Sequence, residues 1–502
     1  MNSIIKRRAL RRAAALVLLL MGGCAVGPNF KRPAAPGVSG YTAAALPTTA
    51  SATNIVGGAA QRFVQGLDLS GEWWTLFRSA PLDELIECSV TNNPDLKAAR
   101  AALQAARENV LAQRGVYFPN VAAGFSANRQ KASEILAPVP NYPVVPQEFQ
   151  FSVFTPQVSV SYVPDVFGLN RRTMESLKAQ ENAARFQLIA AYVTLSANVA
   201  LAAIQEASLR AQINATRQLI VISSNMVQIL RYQFADGYAS RLDVAAQESQ
   251  LAQAAVALPP LLKQLAQQRD LLAVLTGKFP SQMPAEEFEL STLRLPEELP
   301  VSLPSQLIEQ RPDVQQAEEN FHAASAQIGV ALANRLPNIT LTADAGSTAL
   351  AIDQVFSSGT GFWGLGAAAM APIFQGGALM HRERAARAAY AQAAEQYRGT
   401  VLAAFQNVAD TLNALEQDAN ALRAAANALA AARVTLNLAR QQAQAGYASG
   451  LTLLSAEQTY QSARVNLIQA QANRFSDTVA LFEALGGGWW HRADLTQEKN
   501  EK

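Results

Sequence analysis

The stretch PNITLTADAG at residues 337–346 decides the fold class of this chain. Every second residue from Ile339 to Ala345 is apolar, and the residues between them are Thr and Asp, which is the period of a β-strand with one apolar face. From Trp363 to Ala371 the odd-numbered positions are again apolar, so they predict the partner strand. We therefore predict a β-hairpin at about residues 337–372, with a loop over 347–360.

A second hairpin is predicted earlier in the chain, at about residues 119–164. Val158, Val160 and Tyr162 alternate with polar residues, and the less regular stretch 121–127 is the expected partner. The strands are about ten residues long, which is the length of a tilted membrane strand. Because single-chain barrels begin at about eight strands, four strands require an oligomer. Three copies would give twelve strands, although the sequence leaves two or four copies open.

The chain contains an internal repeat. Pro94-Asp95-Leu96 recurs as Pro312-Asp313-Val314, and the run 237–240 (GYAS) recurs at 446–449. Since such markers keep their order along the chain, we predict two copies of one unit, at 76–277 and 304–487.

A long helix is predicted after each hairpin, at 168–236 and 376–445. Neither stretch contains proline, and both mix Ala, Gln, Arg and Leu. At ~1.5 Å per residue each helix would reach about 100 Å, far more than a bilayer. Return helices are predicted at 240–275 and 450–485, and a shorter helix precedes each hairpin. The expected result is a tall wall of antiparallel helices.

The N-terminus has the pattern of an export signal. Within residues 1–23, five basic residues come first and a short apolar stretch follows, and there is no acidic residue. Cys24 comes next. Removing residues 1–23 lowers the formal net charge from +2 by 5 to −3. We predict a cleaved signal and lipid acylation of Cys24; the alternative is a chance cysteine near an ordinary cleavage site.

Three further segments are predicted to connect the main elements. Residues 24–75 are rich in small residues and Pro, and would form a strap from the lipid anchor. Residues 278–303 form a Pro-rich linker between the copies. Residues 488–502 form a polar C-terminal tail, which we expect to fray.

Composition argues against several other functions. The only histidines, His322, His381 and His491, are far apart in the sequence, and no nucleophile elbow, phosphate loop or zinc-ligand cluster is present. We therefore expect no catalytic residue, no metal and no cofactor. The net charge of −3 gives no support to nucleic-acid binding. A purely structural periplasmic coiled-coil lipoprotein remains the rival hypothesis.

Several motifs together carry a family resemblance. They are the lipobox at Cys24, VGPNF at 26–30, Trp73-Trp74, the two Pro-Asp markers, the hairpin exit Phe167-Gly168, and LGGGW at 485–489. In this order they resemble the TolC-like outer-membrane factors, in the OprM/NodT-like lipoprotein branch of resistance-nodulation-division efflux systems. The resemblance extends from about residue 20 to residue 490.

The resemblance implies an α+β membrane protein in the outer membrane. It implies a homotrimer whose twelve-stranded β-barrel, with four strands per chain, continues into a long periplasmic α-helical barrel. The implied partners are a periplasmic adaptor protein, an inner-membrane resistance-nodulation-division transporter and outer-membrane lipid. The implied function is the exit duct of a tripartite pump that exports drugs or toxic compounds. Metal-ion efflux and protein secretion remain open.

The resemblance also assigns the periplasmic mouth and adaptor contact to two helix turns. The residues are Gly237, Tyr238, Ala239, Ser240, Gly446, Tyr447, Ala448 and Ser449. The residues alone also support a simpler interpretation, in which each run is a tight turn followed by a Ser helix cap. The family's acidic residue in the second turn is replaced here by Ala448 and Ser449. Nearby charges could form substitute pairs or an ordinary solvated surface: Asp236, Arg241, Asp243 and Arg440.

Overall fold

The computed structural model describes residues 25–42, 48–132, 149–282, 288–448 and 450–496. Two residues singled out above, Cys24 and Ser449, lie outside these ranges, as do the signal segment and the greater part of the first hairpin loop.

Pairs of helices and pairs of strands follow one another along the chain. The elements before the middle of the chain are β1 Arg62–Gln65, α1 Ala80–Asn92, α2 Pro94–Gly115, β2 Asn120–Ala132, β3 Phe149–Tyr162, α3 Leu169–Ala235 and α4 Arg241–Leu275. The elements after it are β4 Glu298–Val301, α5 Pro304–Gln310, α6 Pro312–Ala333, β5 Asn338–Ser347, β6 Gly361–Met370, α7 Ala378–Gln444, α8 Gly450–Ala484 and α9 Ala493–Thr496.

The long helices α3 and α7 each contain 67 residues, and the helices that follow them, α4 and α8, each contain 35. Their bounds lie within two residues of those predicted. The absence of proline permits α3 and α7 to continue without interruption, and a glycine with positive φ ends each one. In contrast, α4 contains Pro259 and Pro260. These residues lack the amide hydrogens that would bond to the carbonyls four residues earlier.

The chain divides into two compact units, and each is described separately. The first, here the strand unit, contains the described residues of Met1–Arg32, Gln104–Asn182 and Glu318–Gln396. Its centre is an antiparallel sheet with the strand order β2-β3-β5-β6. The two predicted hairpins therefore lie side by side, because β3 pairs with β5.

The second unit, here the core unit, contains the described residues of Pro33–Leu103, Ala183–Ala317 and Tyr397–Lys502. Its core is aromatic: Trp73, Trp74 and Phe77 are fully buried and pack against Phe475 and Phe482 of α8. Burying aromatic side chains removes a large apolar area from water, so this cluster fixes the short helical turn at 73–77 to the helices.

A two-stranded parallel sheet also belongs to the core unit. Strand β1 pairs with β4, with Phe63 opposite Leu299. Leu299 and Val301 are buried, as are Phe288, Leu290 and Leu293 before them. The segment predicted as a linker, 278–303, therefore contributes a strand and several core side chains.

The prediction that the chain frays after Gly488 is wrong for residues 488–496. The Trp489 indole donates a hydrogen bond to the Gln310 carbonyl at 2.6 Å, and the Trp490 indole donates one to Asp68 at 3.0 Å. Arg492 pairs with Glu72 at 3.0 Å. These side chains anchor the tail. The prediction took account only of the polar residues in this segment and overlooked its two tryptophans.

One helix of the described chain, α3, is long and apolar enough by composition to cross a membrane. Its apolar window is mostly buried within the protein, and residues from Leu188 to Ala215 belong to the core of the core unit. Core packing therefore accounts for the apolar character of this helix.

Candidate functional site

The sheet of the strand unit has one apolar face and one polar or small face. Directly paired residues of antiparallel strands point to the same side, so the register defines rows across all four strands. The apolar rows are Val121, Val160, Ala343, Leu365 and Ala123, Val158, Ala345, Trp363. A row on the opposite face reads Ala122, Ser159, Asp344, Gly364.

The apolar face is not covered by the described chain. Trp363 and Leu365 are both 77% exposed, and Val121 is 65% exposed. Exposed contiguous apolar surface of this kind marks contact with a membrane or another protein. Each strand contains at least ten residues, the length needed by a tilted strand in a bilayer. The arrangement therefore matches a lipid-facing sheet.

Both edges of this sheet are open. Its outermost strands, β2 and β6, each pair on one side only with a strand of the described chain. Unpaired backbone amides and carbonyls cost several kcal/mol each in lipid, on the order given by transfer energies. Within the described chain, the outer edges of β2 and β6 therefore stay unsatisfied.

The first helix turn, between α3 and α4, is a closed and exposed structure. Gly237 has φ +77°, and the amides of Gly237 and Tyr238 donate to the carbonyls of Phe234 and Gln233 at 3.1 and 2.7 Å. This is the Schellman pattern that satisfies the last carbonyls of a helix. No atom would contact a Cβ at Gly237, so the glycine is required by its φ alone.

Ser240 then caps α4. Its hydroxyl oxygen accepts from the Asp243 amide at 3.1 Å, and the Asp243 carboxylate accepts from the Ser240 amide at 3.0 Å. This reciprocal pair is a capping box. The hydrogen bonds from Ser240 lower the pKa of Asp243. The Ser cap predicted from the sequence is therefore present, and the Asp243 side chain completes it by accepting a hydrogen bond from the Ser240 amide.

The second turn, between α7 and α8, repeats the same backbone pattern. Gly446 has φ +79°, and the Tyr447 amide donates to the Gln442 carbonyl at 2.8 Å. Tyr238 and Tyr447 are 85% and 87% exposed, so each turn presents an aromatic side chain to the outside. Exposed aromatic side chains are the residues that dominate protein–protein contacts.

Two ion pairs join the helices near the turns. Arg231 of α3 pairs with Glu248 of α4 at 2.6 Å, and Arg440 of α7 pairs with Glu457 of α8 at 3.3 Å. Burial raises the pKa of Glu457, and Arg440 partly offsets this effect. Arg440 was predicted as a charge near the turn, whereas Arg231 was not. The two pairs occupy equivalent positions, because Arg231 and Glu248 recur 209 residues later as Arg440 and Glu457.

The other two predicted charges near the turns behave differently. Asp236 and Arg241 form no ion pair within the described part of the chain and are both exposed. Of the four predicted charges, one therefore caps a helix, one joins two helices, and two lie on the solvated surface.

The segment that follows Cys24 is held firmly in the strand unit. The guanidinium of Arg172, which is 4% exposed, donates to the carbonyls of Val26 and Gly27 at 3.0 and 3.1 Å. It also donates to the Asn29 side chain at 2.8 Å, and the Val26 amide donates to the Phe167 carbonyl at 3.1 Å. We call residues 25–32, held in this way, the N-terminal clamp.

Close backbone contact and ring stacking complete the clamp. A Cβ at Gly27 would lie 2.5 Å from the Gly329 Cα, so the two backbones meet where only glycine fits. The Phe30 ring stacks on His322 with centroids 4.5 Å apart. Arg32 pairs with Glu318 at 2.8 Å. The VGPNF motif is therefore a docking segment for α3 and α6.

A buried charge cluster lies on α7 and α8 of the core unit. Arg474 is fully buried and donates to Thr49 and to the Ala59 carbonyl, at 2.9 and 2.6 Å. Burial, together with the neighbouring carboxylate of Asp418, raises the pKa of Asp477 to about 7. Two carboxyl groups therefore share a poorly solvated position on adjacent helices.

No group of three or more His, Cys, Asp or Glu residues that could hold a metal ion occurs within the ranges that the structure describes.

The comparisons with known proteins agree with this geometry. The model of the family described as outer membrane efflux protein matches residues 85–278 and 303–487. The toluene efflux pump outer membrane protein TtgC of Pseudomonas putida is 31% identical over 504 residues, covering 97% of each chain. The pyoverdine export outer membrane protein OpmQ of Pseudomonas putida is 30% identical over 419 residues, covering 83% of this chain and 88% of OpmQ.

A solved structure shares the fold as well. The outer-membrane channel OprN matches with a TM-score of 0.81 and 26% identity, over 93% of this chain and all of the OprN chain. An open-edged apolar sheet combined with 67-residue helices defines a TolC-like transport protein. The chain belongs to the outer membrane efflux protein family. It is therefore located in the outer membrane, with a periplasmic helical extension.

Proposed function

We propose that three copies of this chain form the exit duct of a tripartite efflux pump, through a shared twelve-stranded β-barrel. The apolar rows that cross all four strands support this proposal most strongly, because they provide an outer surface for lipid. The polar or small face would line a water-filled lumen. Pairing β6 of one copy with β2 of the next would satisfy both open edges.

An internal duplication would explain how one chain supplies two hairpins. The equal lengths of α3 and α7, and of α4 and α8, support this reading. The duct itself would be passive, with energy supplied by an inner-membrane transporter of the resistance-nodulation-division class.

The two exposed turns are the proposed contact for a periplasmic adaptor protein and the proposed mouth of the duct. Tyr238 and Tyr447 would enter the adaptor interface, and splaying of the turns would open the mouth. Because the turns lack the family's acidic residue, we propose that the pairs Arg231–Glu248 and Arg440–Glu457 stiffen the helix ends instead. Placing Asp at Ala448 should change pump-dependent resistance, whereas Asp at exposed Thr435 of α7, away from the turn, should not.

Lipid acylation of Cys24 is the proposed anchor. The N-terminal clamp begins at the next residue, so an acyl chain there would be tethered directly to the strand unit. Cys24→Ser should abolish the acyl group, detected as loss of radiolabelled palmitate. Retained label would contradict the assignment.

Small toxic molecules are the proposed cargo. Relatives of nearly equal identity are named for two different cargoes, toluene and pyoverdine, so overall similarity does not select one. In this scheme the inner-membrane transporter selects the compound, and the duct provides a path for it.

The decisive experiment measures oligomer mass and single-channel conductance of protein purified from outer membranes. We expect a trimer with a small, mostly closed conductance. Leu365→Arg places a charge on the apolar face and should prevent assembly, at a cost of about 2–4 kcal/mol per chain at mid-membrane. Thr342→Arg is the matched control, because Thr342 lies on the opposite face and should assemble with altered conductance. A water-soluble monomer without conductance would contradict the proposal.

A further inference from the structure

One histidine of the strand unit lies between two carboxylates. The Nε2 atom of His322 is 3.1 Å from Glu175 Oε1, and its Nδ1 atom is 3.5 Å from Glu319 Oε2. Glu175 belongs to α3, whereas His322 and Glu319 lie about one turn apart on α6. All three side chains are less than 30% exposed, so water and salt screen their charges incompletely.

A neutral imidazole cannot satisfy both carboxylates. It has one N–H group, so whichever nitrogen carries the hydrogen, the other presents a lone pair to a carboxylate. The Glu319 Oε1 atom accepts a hydrogen bond from Asn182 at 3.1 Å, but its Oε2 atom is buried without a hydrogen-bond partner in the described part of the chain. A proton held between His322 Nδ1 and Glu319 Oε2 would join these two atoms.

The surrounding charges favour uptake of that proton. Glu175 also pairs with Arg172 of α3 at 2.7 Å, and Glu318 of α6 pairs with Arg32 of the N-terminal clamp at 2.8 Å. Both arginines beside the histidine are thus paired with another carboxylate than Glu319. Burial raises the pKa of the Glu319 carboxyl, because its charged form is poorly solvated, and His322 partly offsets this effect.

The N-terminal clamp covers the same histidine. The Phe30 ring stacks on the His322 imidazole with centroids 4.5 Å apart and planes 15° apart, and it also meets Phe321 edge-on at 5.4 Å. Tyr390 of α7 stacks on Phe321 and is a further titratable group beside this cluster. An aromatic face attracts a cation, so protonation of His322 should strengthen its contact with Phe30. Docking of the clamp and protonation of the histidine should therefore favour each other.

We propose that His322 and Glu319 form a proton-operated latch, which fastens the N-terminal clamp at mildly acidic pH and loosens it at alkaline pH. With the proton bound, the histidine pairs with both carboxylates and Phe30 lies against a cation. Without it, the buried Glu319 carboxylate faces a lone pair, and lifting Phe30 admits water to the imidazole.

The direction of the pH effect follows from where the proton binds more tightly. Since the docked state favours the protonated latch, its stability is greatest at low pH and is lost as pH rises. Imidazole side chains change charge between about pH 5 and 8, so the clamp should loosen within this range. The latch lies within the strand unit of one chain and does not rest on the channel proposal.

The test follows hydrogen–deuterium exchange of the peptide 25–32 in the full-length protein, purified from membranes in a neutral detergent. Exchange is measured at about pH 5.5 and about pH 8, and each rate is divided by the intrinsic rate at that pH. We expect protection of the Val26 amide to fall about tenfold from the lower to the higher pH, as for loss of one charge-assisted hydrogen bond. In His322→Gln, which cannot take up a proton, protection should change by less than about twofold.

Two further variants separate the latch from other effects. Glu319→Gln should also remove the pH dependence, because an amide there can still accept from Asn182 and can donate to a neutral Nδ1. His381→Gln is the matched control, since His381 is an exposed histidine of α7 in the same unit, and it should keep the pH dependence of the parent protein. A peptide from α6 monitors opening of the helix itself, so that pH effects on the whole chain can be subtracted.

Two results would overturn the proposal. One is protection of the peptide 25–32 that does not depend on pH in the parent protein. The other is a pH dependence that persists in Glu319→Gln and in His322→Gln, since the proton would then bind elsewhere. If His322→Gln leaves the clamp unprotected at both pH values, Glu319→Gln decides: retained pH dependence overturns the latch, and its loss supports it. Oligomer mass and conductance of the same preparation test the channel proposal separately.

Discussion

Replacing Arg172 with glutamine should release the N-terminal clamp from the helices that hold it. Arg172 is buried and donates three hydrogen bonds to residues 26–29, of which two reach backbone carbonyls. Glutamine is shorter and uncharged, and it carries a single amide group, so at least two of these bonds should be lost. The Glu175 carboxylate would also lose Arg172 as a partner at 2.7 Å and keep only His322, at 3.1 Å, of the two.

The expected magnitude follows from the number of bonds. A hydrogen bond contributes about 1 kcal/mol net, so losing two or three bonds should cost about 2–3 kcal/mol. A change of 1.4 kcal/mol is tenfold in an equilibrium constant, and the docking equilibrium should therefore shift by about 30- to 150-fold.

Hydrogen–deuterium exchange measures this shift directly. The Val26 amide, which donates to the Phe167 carbonyl, should exchange faster by the same factor, observed in a peptide covering residues 25–32. Arg171→Gln is the matched control, since the neighbouring Arg171 contacts Asp165 and not the clamp. Asn29→Ala removes one bond and should accelerate exchange about fivefold.

Two results would refute the reasoning. Unchanged exchange in Arg172→Gln, with α3 still protected, would mean that other contacts hold the clamp. If α3 itself became unprotected, the variant would have unfolded the helix, and Asn29→Ala would then decide. That variant changes no residue of α3, so unaltered exchange there would exclude the hydrogen-bond account.

Three other predictions follow from features in the core unit and at the N-terminus. The folded chain holds the Asp477 proton more tightly than the unfolded chain does, so the stability of the folded state should fall as pH rises from about 4 to about 7. Asp477→Asn should make the midpoint temperature of heat dissociation less dependent on pH in this range. An unchanged dependence of that midpoint on pH would contradict the prediction. Gly446→Ala should cost about 1 kcal/mol, because φ is +79° there, and should lower the midpoint in the same assay. Gly399→Ala, inside α7 with open space around a Cβ, should instead stabilise by roughly 0.5–1 kcal/mol, so the two changes should have opposite signs. Finally, Cys24→Ser should still assemble if the anchor is auxiliary, which is tested by trimer yield from membranes.

Local periodicity predicted the main elements of the fold. The two-residue alternation in β5 is visible without any alignment, because one face of the strand is apolar and the other polar. The long helices were predictable because proline is absent and a glycine marks each end. The cap at Ser240 was predicted from the residue type, whereas Asp243 was assigned only as a possible charge near the turn and proves to complete the capping box.

Contacts between distant residues could not be predicted in this way. Strands β1 and β4 contain four residues each and pair across more than 230 positions, and β4 includes Pro300, which argues against a strand in a local reading. Burial of Arg474 and anchoring of the tail by Trp489 also depend on partners far along the chain. Such pairings carry no periodic signal in either partner.

The N-terminal clamp has a consequence for the order in which the protein matures. Its partners Glu318, His322 and Gly329 lie about 300 residues downstream of the clamp itself. At roughly 5–20 residues per second of synthesis, these partners follow the N-terminus by about 15–60 s or more. During that interval the segment 25–32 has no complete docking site, because α6 has not yet been synthesised. Docking of the clamp is therefore a late step in folding, and the lipid attachment proposed above would precede it.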